Sequence, residues 1–285
     1  MHTVYTACPV FVKTNALDNR FLCAILNAER KRSTLMERYF EVNKNGHNIR
    51  CKLYYSDLKA IRRVVVFCHG FGGHKDNSAA AKFAERMISK HKYSALITFN
   101  WPCHGDDVKK KLTLADCDTY LSLVIDYVKE TFTQEIYCYA TSFGGYLSLK
   151  YIYDHGSPFR RTVLRCPAVN LYDAMTTAIM TEENRQLLAK GKDAAVGFDR
   201  KVPVSPAFLE EIQANDIRKL EFLDWAEDIL ILHGTRDEII SFDEAQAFSE
   251  NTLIDFVAVE GADHRFRSET AMDQAIKAIL EFFAL

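Results

Sequence analysis

The sequence predicts an α/β protein, a mostly parallel central sheet flanked by helices and interrupted late in the chain by a helical insertion. Short β-branched or aromatic runs alternate with longer amphipathic segments, and several of the short runs are apolar throughout, as strands covered on both faces must be. The 285-residue chain, with 48% hydrophobic and 26% charged residues, has the composition of a folded domain large enough to carry such a sheet.

The elements follow in order. Residues 1–36 form an N-terminal arm with a helical pattern around Phe21 to Arg30. Arg38 to Val42 and Ile49 to Tyr55 flank Asn43-Lys-Asn-Gly46, the pattern of an antiparallel hairpin at a sheet edge. Val64 to Cys68 is a continuous apolar run, followed by a Gly-rich turn and a helix over Ser78 to Lys90. Strands are then expected at Ala95 to Asn100, Ile136 to Ala140, Thr162 to Cys166, Ile229 to His233 and Phe256 to Val259. Helices are expected at Thr113 to Thr131, Gly144 to His155, near Asp243 to Glu250, and at Glu269 to Phe283. Residues 37–169 and 224–285 thus make the core, and residues 170–223 an inserted cap of helical character with no convincing strand. Placed between two strands, such a cap can fold over the carboxyl ends of the sheet, where open α/β sheets bind ligands. Met175, Ile179 and Phe198 are its candidate substrate contacts, although an amphipathic helix buries apolar stripes with or without a ligand.

Charge and cysteine usage exclude several classes. With 36 basic and 38 acidic residues, the formal charge of -2 supplies no field for nucleic acid or an anionic membrane. The 8 cysteines form no C-x-x-C pair, and Cys68, Cys138 and Cys166 fall in predicted core strands, where a thiol packs as a small hydrophobe. No long apolar stretch suggests a secretory signal or membrane span, and a cytoplasmic location is expected. His69, His74, His104 and Asp106 lack metal-ligand spacing, so neither a metal nor any other cofactor is expected. Oligomeric state is not legible.

The chemistry begins at Ile136-Tyr-Cys-Tyr-Ala-Thr-Ser142-Phe-Gly-Gly145, a strand running into a helix through small residues around one serine. Such a nucleophile elbow lifts a hydroxyl above the sheet, and the helix N-terminus favours an oxyanion there. Ala140 stands where the usual pattern has its first glycine. A serine hydroxyl needs an imidazole to take its proton, and the imidazole needs a carboxylate to fix its tautomer. Asp237 lies just past the strand Ile229 to His233, and His264 just past the next. Either alone fits a bland role at a helix start or in a loop; the order Ser, Asp, His, each at a strand end, makes a triad the expectation. Phe67-Cys-His69-Gly-Phe71-Gly-Gly73 follows a core strand and offers backbone donors, so the oxyanion hole is assigned to the amides of Phe71 and Phe143. The His69 side chain is expected to brace its turn.

Together these segments resemble the α/β-hydrolase superfamily across roughly residues 60–285. His69-Gly-Phe-Gly, Phe99-Asn-Trp-Pro-Cys-His104-Gly-Asp and Glu260-Gly-Ala-Asp-His264 are similar to stretches of bacterial cinnamoyl or feruloyl esterases and of monoacylglycerol lipase-like proteins. The resemblance implies the α/β-hydrolase fold, Ser142, Asp237 and His264 as the catalytic triad, and a structural turn at His104. Ala140, Trp101-Pro-Cys103 before His104, and the cap depart from the family pattern.

The function expected is a serine hydrolase, a carboxylesterase acting on a small-molecule ester through an acyl-enzyme intermediate. The same triad cleaves amides and thioesters, so a serine exopeptidase or thioesterase is the alternative, with a non-catalytic hydrolase-fold binding protein as the reading from another class.

Overall fold

Strand β3 (Arg63–Cys68) sends Val64, Val66 and Cys68 to one face of the central sheet and Val65 and Phe67 to the other, all fully buried. A strand covered on both sides needs no polar face, which is why its sequence reads as unbroken apolar residues. The protein is described here from a computed structural model covering residues 35–285; the helical pattern around Phe21 to Arg30 and the rest of the arm before residue 35 lie outside the described residues.

An edge hairpin opens the sheet, β1 (Met36–Lys44) and β2 (His47–Tyr55), turning at Asn45 and Gly46, which both adopt positive φ. After β3 the remaining strands are β4 (Ser94–Phe99), β5 (Ile136–Thr141), β6 (Thr162–Arg165), the short pair β7 (Ala194–Val196) and β8 (Val202–Val204), then β9 (Ile229–Gly234) and β10 (Asp255–Val259). The main sheet has 8 strands in the order β1-β2-β4-β3-β5-β6-β9-β10, antiparallel at β1, β2 and β4 and parallel from β4 to β10.

Helices cover both faces. On one face, α1 (Ser78–Lys90) brings Phe83, Met87 and Ile88 against Val65, Phe67 and Leu96. On the other lie α2 (Leu114–Thr131) and α3 (Phe143–His155). α1 starts where predicted because the Asn77 side chain accepts the Ala80 amide at 3.1 Å; Thr113 caps α2 in the same way.

The chain between β6 and β9 is helical in large part. It contains a helical turn at Leu171–Ala174, a π-helix at Met175–Ile179, α4 (Glu182–Ala189) and α5 (Pro206–Ala214). The expectation that it holds no strand is corrected by the β7–β8 hairpin, which pairs Ala194 with Val204 and Val196 with Val202. Strands of 3 residues are too short to display alternation, and Pro203 is tolerated because both strands of a two-stranded ribbon are edges. The chain closes with α6 (Phe242–Thr252) and α7 (Glu269–Phe283), the latter packing Ala275, Ile279 and Phe283 on the face shared with α1.

Candidate active site

Ser142 joins β5 to α3 with φ 50° and ψ −117°, a strained backbone for a residue with a side chain. The strain is held by close packing beneath it. A Cβ on Gly144 would overlap the Cys68 carbonyl, one on Gly145 would come within 2.8 Å of Pro167, and one on Gly70 would meet the Ser142 Cβ at 3.3 Å. These glycines let α3 and the loop after β3 close on the turn. Ala140 causes no crowding: it lies inside β5, in register with Cys68 and Leu164, with its methyl group fully buried in the core.

Asp237 and His264 are brought together from the ends of β9 and β10. His264 Nδ1 lies 2.8 Å from Asp237 Oδ2, and Asp237 Oδ1 accepts the amides of Ile239 at 2.9 Å and Ile240 at 2.8 Å. The carboxyl is wholly buried, while the imidazole keeps about 10% of its surface open. Burial alone would raise the Asp237 pKa; hydrogen bonds from His233, His264 and the Ile240 amide overcome it and hold the group well below the usual carboxylate range. His233 was assigned no role from sequence. Its Nε2 lies 3.2 Å from the same Asp237 oxygen and 3.2 Å from the Ile240 carbonyl, so it carries the proton and donates. The i, i+4 spacing of His233 and Asp237 was its one sequence signal.

Ser142 and His264 line one cavity of about 540 Å³. Among the described residues the Ser142 hydroxyl makes no hydrogen bond, to His264 or to any other group; such contacts are often long in unliganded sites and tighten on binding. Nor do the Phe71 and Phe143 amides have a backbone acceptor among the described residues, which leaves both donors available. Their rings meet edge to face, with centroids 5.6 Å apart.

The loop after β3 is braced rather than flexible. His69 is fully buried, the Trp101 indole donates to the His69 carbonyl at 2.9 Å, and the Trp101 amide donates to His69 Nε2 at 3.4 Å. His104 is also buried, stacked on Phe143 at 5.9 Å, with Nδ1 2.8 Å from the Pro102 carbonyl. Burial pushes its pKa down to about 4. At the loop's far end Lys75 donates to Asp106 at 2.8 Å, and its carbonyl accepts the Thr98 hydroxyl at 2.6 Å. Trp101, absent from the family pattern, thus helps position the donor loop.

Of the cap residues expected to contact substrate, Ile179 and Phe198 line the cavity. Met175 does not. It is fully buried in the main core, because the π-helix turns it inward against the sheet-covering cluster. Sequence reasoning assigned no substrate role to His74, Arg165, Arg200 and Arg265, which also line the wall.

Cys166, expected inside a strand, falls one residue beyond β6 at φ 46°. Its sulfur, an Asp237 oxygen and a His264 nitrogen lie within 4.8 Å of one another. Burial raises the thiol pKa well above its ordinary value.

A mostly parallel sheet in this strand order, with a strained serine at a helix start and a buried carboxylate–imidazole pair at neighbouring strand ends, defines a hydrolase of the α/β-hydrolase fold. Residues 79–285 match the sequence model of the prolyl oligopeptidase family, and the chain belongs to that family. No curated protein matches it in sequence. Similar solved structures include Est1E from Butyrivibrio proteoclasticus with ferulic acid bound, 18% identical, covering 86% of this chain and 98% of that one with a TM-score of 0.70. Alpha/beta hydrolase domain-containing protein 10 from mouse is 15% identical, covering 87% and 98%, with a TM-score of 0.65. The esterase Pf2001 of Pyrococcus furiosus is 13% identical, covering 89% and 94%, with a TM-score of 0.61. At these identities the likeness is one of fold.

Proposed function

We propose that the chain hydrolyses carboxylic esters through an acyl-enzyme on Ser142. The observation that carries this reading is the 2.8 Å contact between His264 and a buried, ionised Asp237 beside the cavity that holds Ser142. Ser142 Oγ attacks the ester carbonyl while His264 takes its proton. The Phe71 and Phe143 amides hold the oxyanion, the carbon–oxygen bond to the alcohol breaks, and His264 returns the proton to the leaving alkoxide. Water, deprotonated by the same imidazole, then releases the acid and regenerates the serine. Asp237 stays ionised, fixes the imidazole tautomer and stabilises its transient positive charge. Reduced Cys51, Cys68, Cys103, Cys117, Cys138 and Cys166 fit a cytoplasmic setting.

Membership of the prolyl oligopeptidase family favours a second reading, peptide-bond cleavage, which in the exopeptidase form would act near a chain end. An ammonium terminus would need a free carboxylate, whereas Asp199 on the cavity wall pairs with Arg265 at 3.1 Å and Asp76 with Lys75 at 3.3 Å. Short p-nitrophenyl esters, an acyl thioester and aminoacyl p-nitroanilides assayed in parallel test the choice. Ester turnover far above anilide turnover, and lost by several orders of magnitude in Ser142→Ala, is expected. Preferred anilide cleavage would replace the ester reading with the peptidase one.

A further inference from the structure

Arg165 occupies an unusual place for a cation. It ends β6, next to the elbow: its carbonyl accepts the Ser142 amide at 3.1 Å, and its residue pairs in register with Thr141. The side chain lines the cavity with Ser142 and His264, yet the residue is only 7% exposed. Its guanidinium lies over the Phe266 ring, 5.1 Å from the centroid, and Nη1 donates to the Arg265 carbonyl at 2.8 Å. Nε is buried and has no acceptor, and among the described residues no carboxylate pairs with this cation. A buried charge without a counterion is costly, and a bound anion would offset that cost here.

The other charge on the wall that lacks a partner among the described residues has the same sign. Arg200, in the turn between β7 and β8, faces the cavity with no carboxylate partner among the described residues. Arg265 is neutralised by Asp199, and Asp76 is engaged by Lys75, Lys52 and the Tyr39 hydroxyl. His74 adds no charge, since burial and then Arg200 lower its pKa. The balance left facing the ligand is therefore two guanidinium groups, one of them rigidly clamped beside the candidate nucleophile.

We infer that this cavity holds an anionic subsite formed by Arg165 and Arg200, and that the ester it takes carries a carboxylate close to the scissile bond. A planar, pre-clamped guanidinium suits a carboxylate, and a charge-assisted hydrogen bond in a partly dry cavity is strong enough to select charged over neutral substrates. This inference rests on the ester reading above, but binding and turnover test the two separately.

Calorimetric titration of Ser142→Ala with monomethyl glutarate places the carboxylate on the acyl side, and with butyryl glycolate on the alcohol side. Dimethyl glutarate and methyl butyryl glycolate are the neutral references. One charged ester is expected to bind about tenfold or more tightly than its neutral reference, and the arm that does so names the side. Adding Arg200→Ala, on an exposed turn where folding is not at risk, or Arg165→Met should shrink that ratio toward one. In the parent protein the charged-to-neutral ratio of kcat/KM should follow the binding ratio. Equal binding of both charged esters and their neutral references would overturn the subsite, as would arginine variants that weaken charged and neutral esters alike, the result of a purely structural clamp on the His264 loop. Selective binding of a charged ester with no turnover by the parent protein would keep the subsite and remove the hydrolase reading. Turnover of neutral esters as fast as charged ones would do the reverse.

Discussion

His233 and His264 converge on a single oxygen of Asp237, at 3.2 Å and 2.8 Å, so one buried carboxylate holds two imidazoles at the carboxyl ends of the parallel strands β9 and β10. Only His264 reaches the cavity; His233 is fully enclosed. The second imidazole therefore acts on Asp237, as a positioning residue that keeps the carboxylate ionised and oriented.

Replacing His233 by phenylalanine should remove one hydrogen bond from a buried charge without opening a large cavity. A loss of about 1–3 kcal/mol in urea unfolding at neutral pH is expected, together with reduced kcat. Unchanged stability and unchanged kcat would show that the 3.2 Å contact carries no weight.

Asp237 has a depressed pKa, so its stabilising contribution is present above the ordinary carboxylate range and is lost only as pH falls through its lower folded value. The carboxylate stays charged throughout the range in which the protein can be assayed. Asp237→Asn should lower kcat by about 10⁴, because the amide stabilises the wrong imidazole tautomer. Steady-state kinetics check this, and a variant within tenfold of the parent contradicts it.

His104 links stability to pH in the same direction, although it is a base. Its folded pKa is pushed from the ordinary 6.5 down to about 4 by burial, so between those values the unfolded chain binds a proton that the folded chain refuses. Stability falls as pH falls, by about 2 kcal/mol between pH 7 and pH 5 from this residue. His69, depressed first by burial and then by His104, adds in the same direction. His104→Gln should lose less stability than the parent over that interval in urea titrations; parallel losses would contradict the assignment.

The elbow glycines and Ala140 should behave differently. Gly144→Ala drives a methyl group into the Cys68 carbonyl and is expected to abolish folding or cost several kcal/mol, read as loss of soluble protein or of melting temperature. Ala140→Gly, which restores the usual motif, should instead destabilise by about 0.5–1 kcal/mol and leave kcat within a few-fold, since position 140 is buried strand interior and not part of the turn. A marked gain in kcat would mean that the alanine does crowd Ser142.

Much of this arrangement was legible in the sequence because the signals are local. α1 and α7 fall on the predicted residues, being amphipathic, and α1 is capped by a side chain beside its first residue. The order of Ser142, Asp237 and His264 at strand ends is likewise written along the chain. What escaped notice depends on distant contacts. The β7–β8 hairpin is too short to show a period, and Met175 was counted with Ile179 and Phe198 because a helical stripe does not say which of its members turn inward. Arg165 read as one more strand residue, and only the folded chain places Phe266 beneath its guanidinium with no carboxylate paired to it among the described residues. His233 read as one more strand residue until the β9 turn brought Asp237 back over it.

Covalent capture tests the central assignment most directly. Incubation with a fluorophosphonate probe followed by peptide mass spectrometry should find one phosphonylated residue, Ser142, with labelling absent from Ser142→Ala and sharply slowed in a His264→Ala variant that remains folded. Probe carried by another residue, or no adduct on the folded parent protein, would contradict the account.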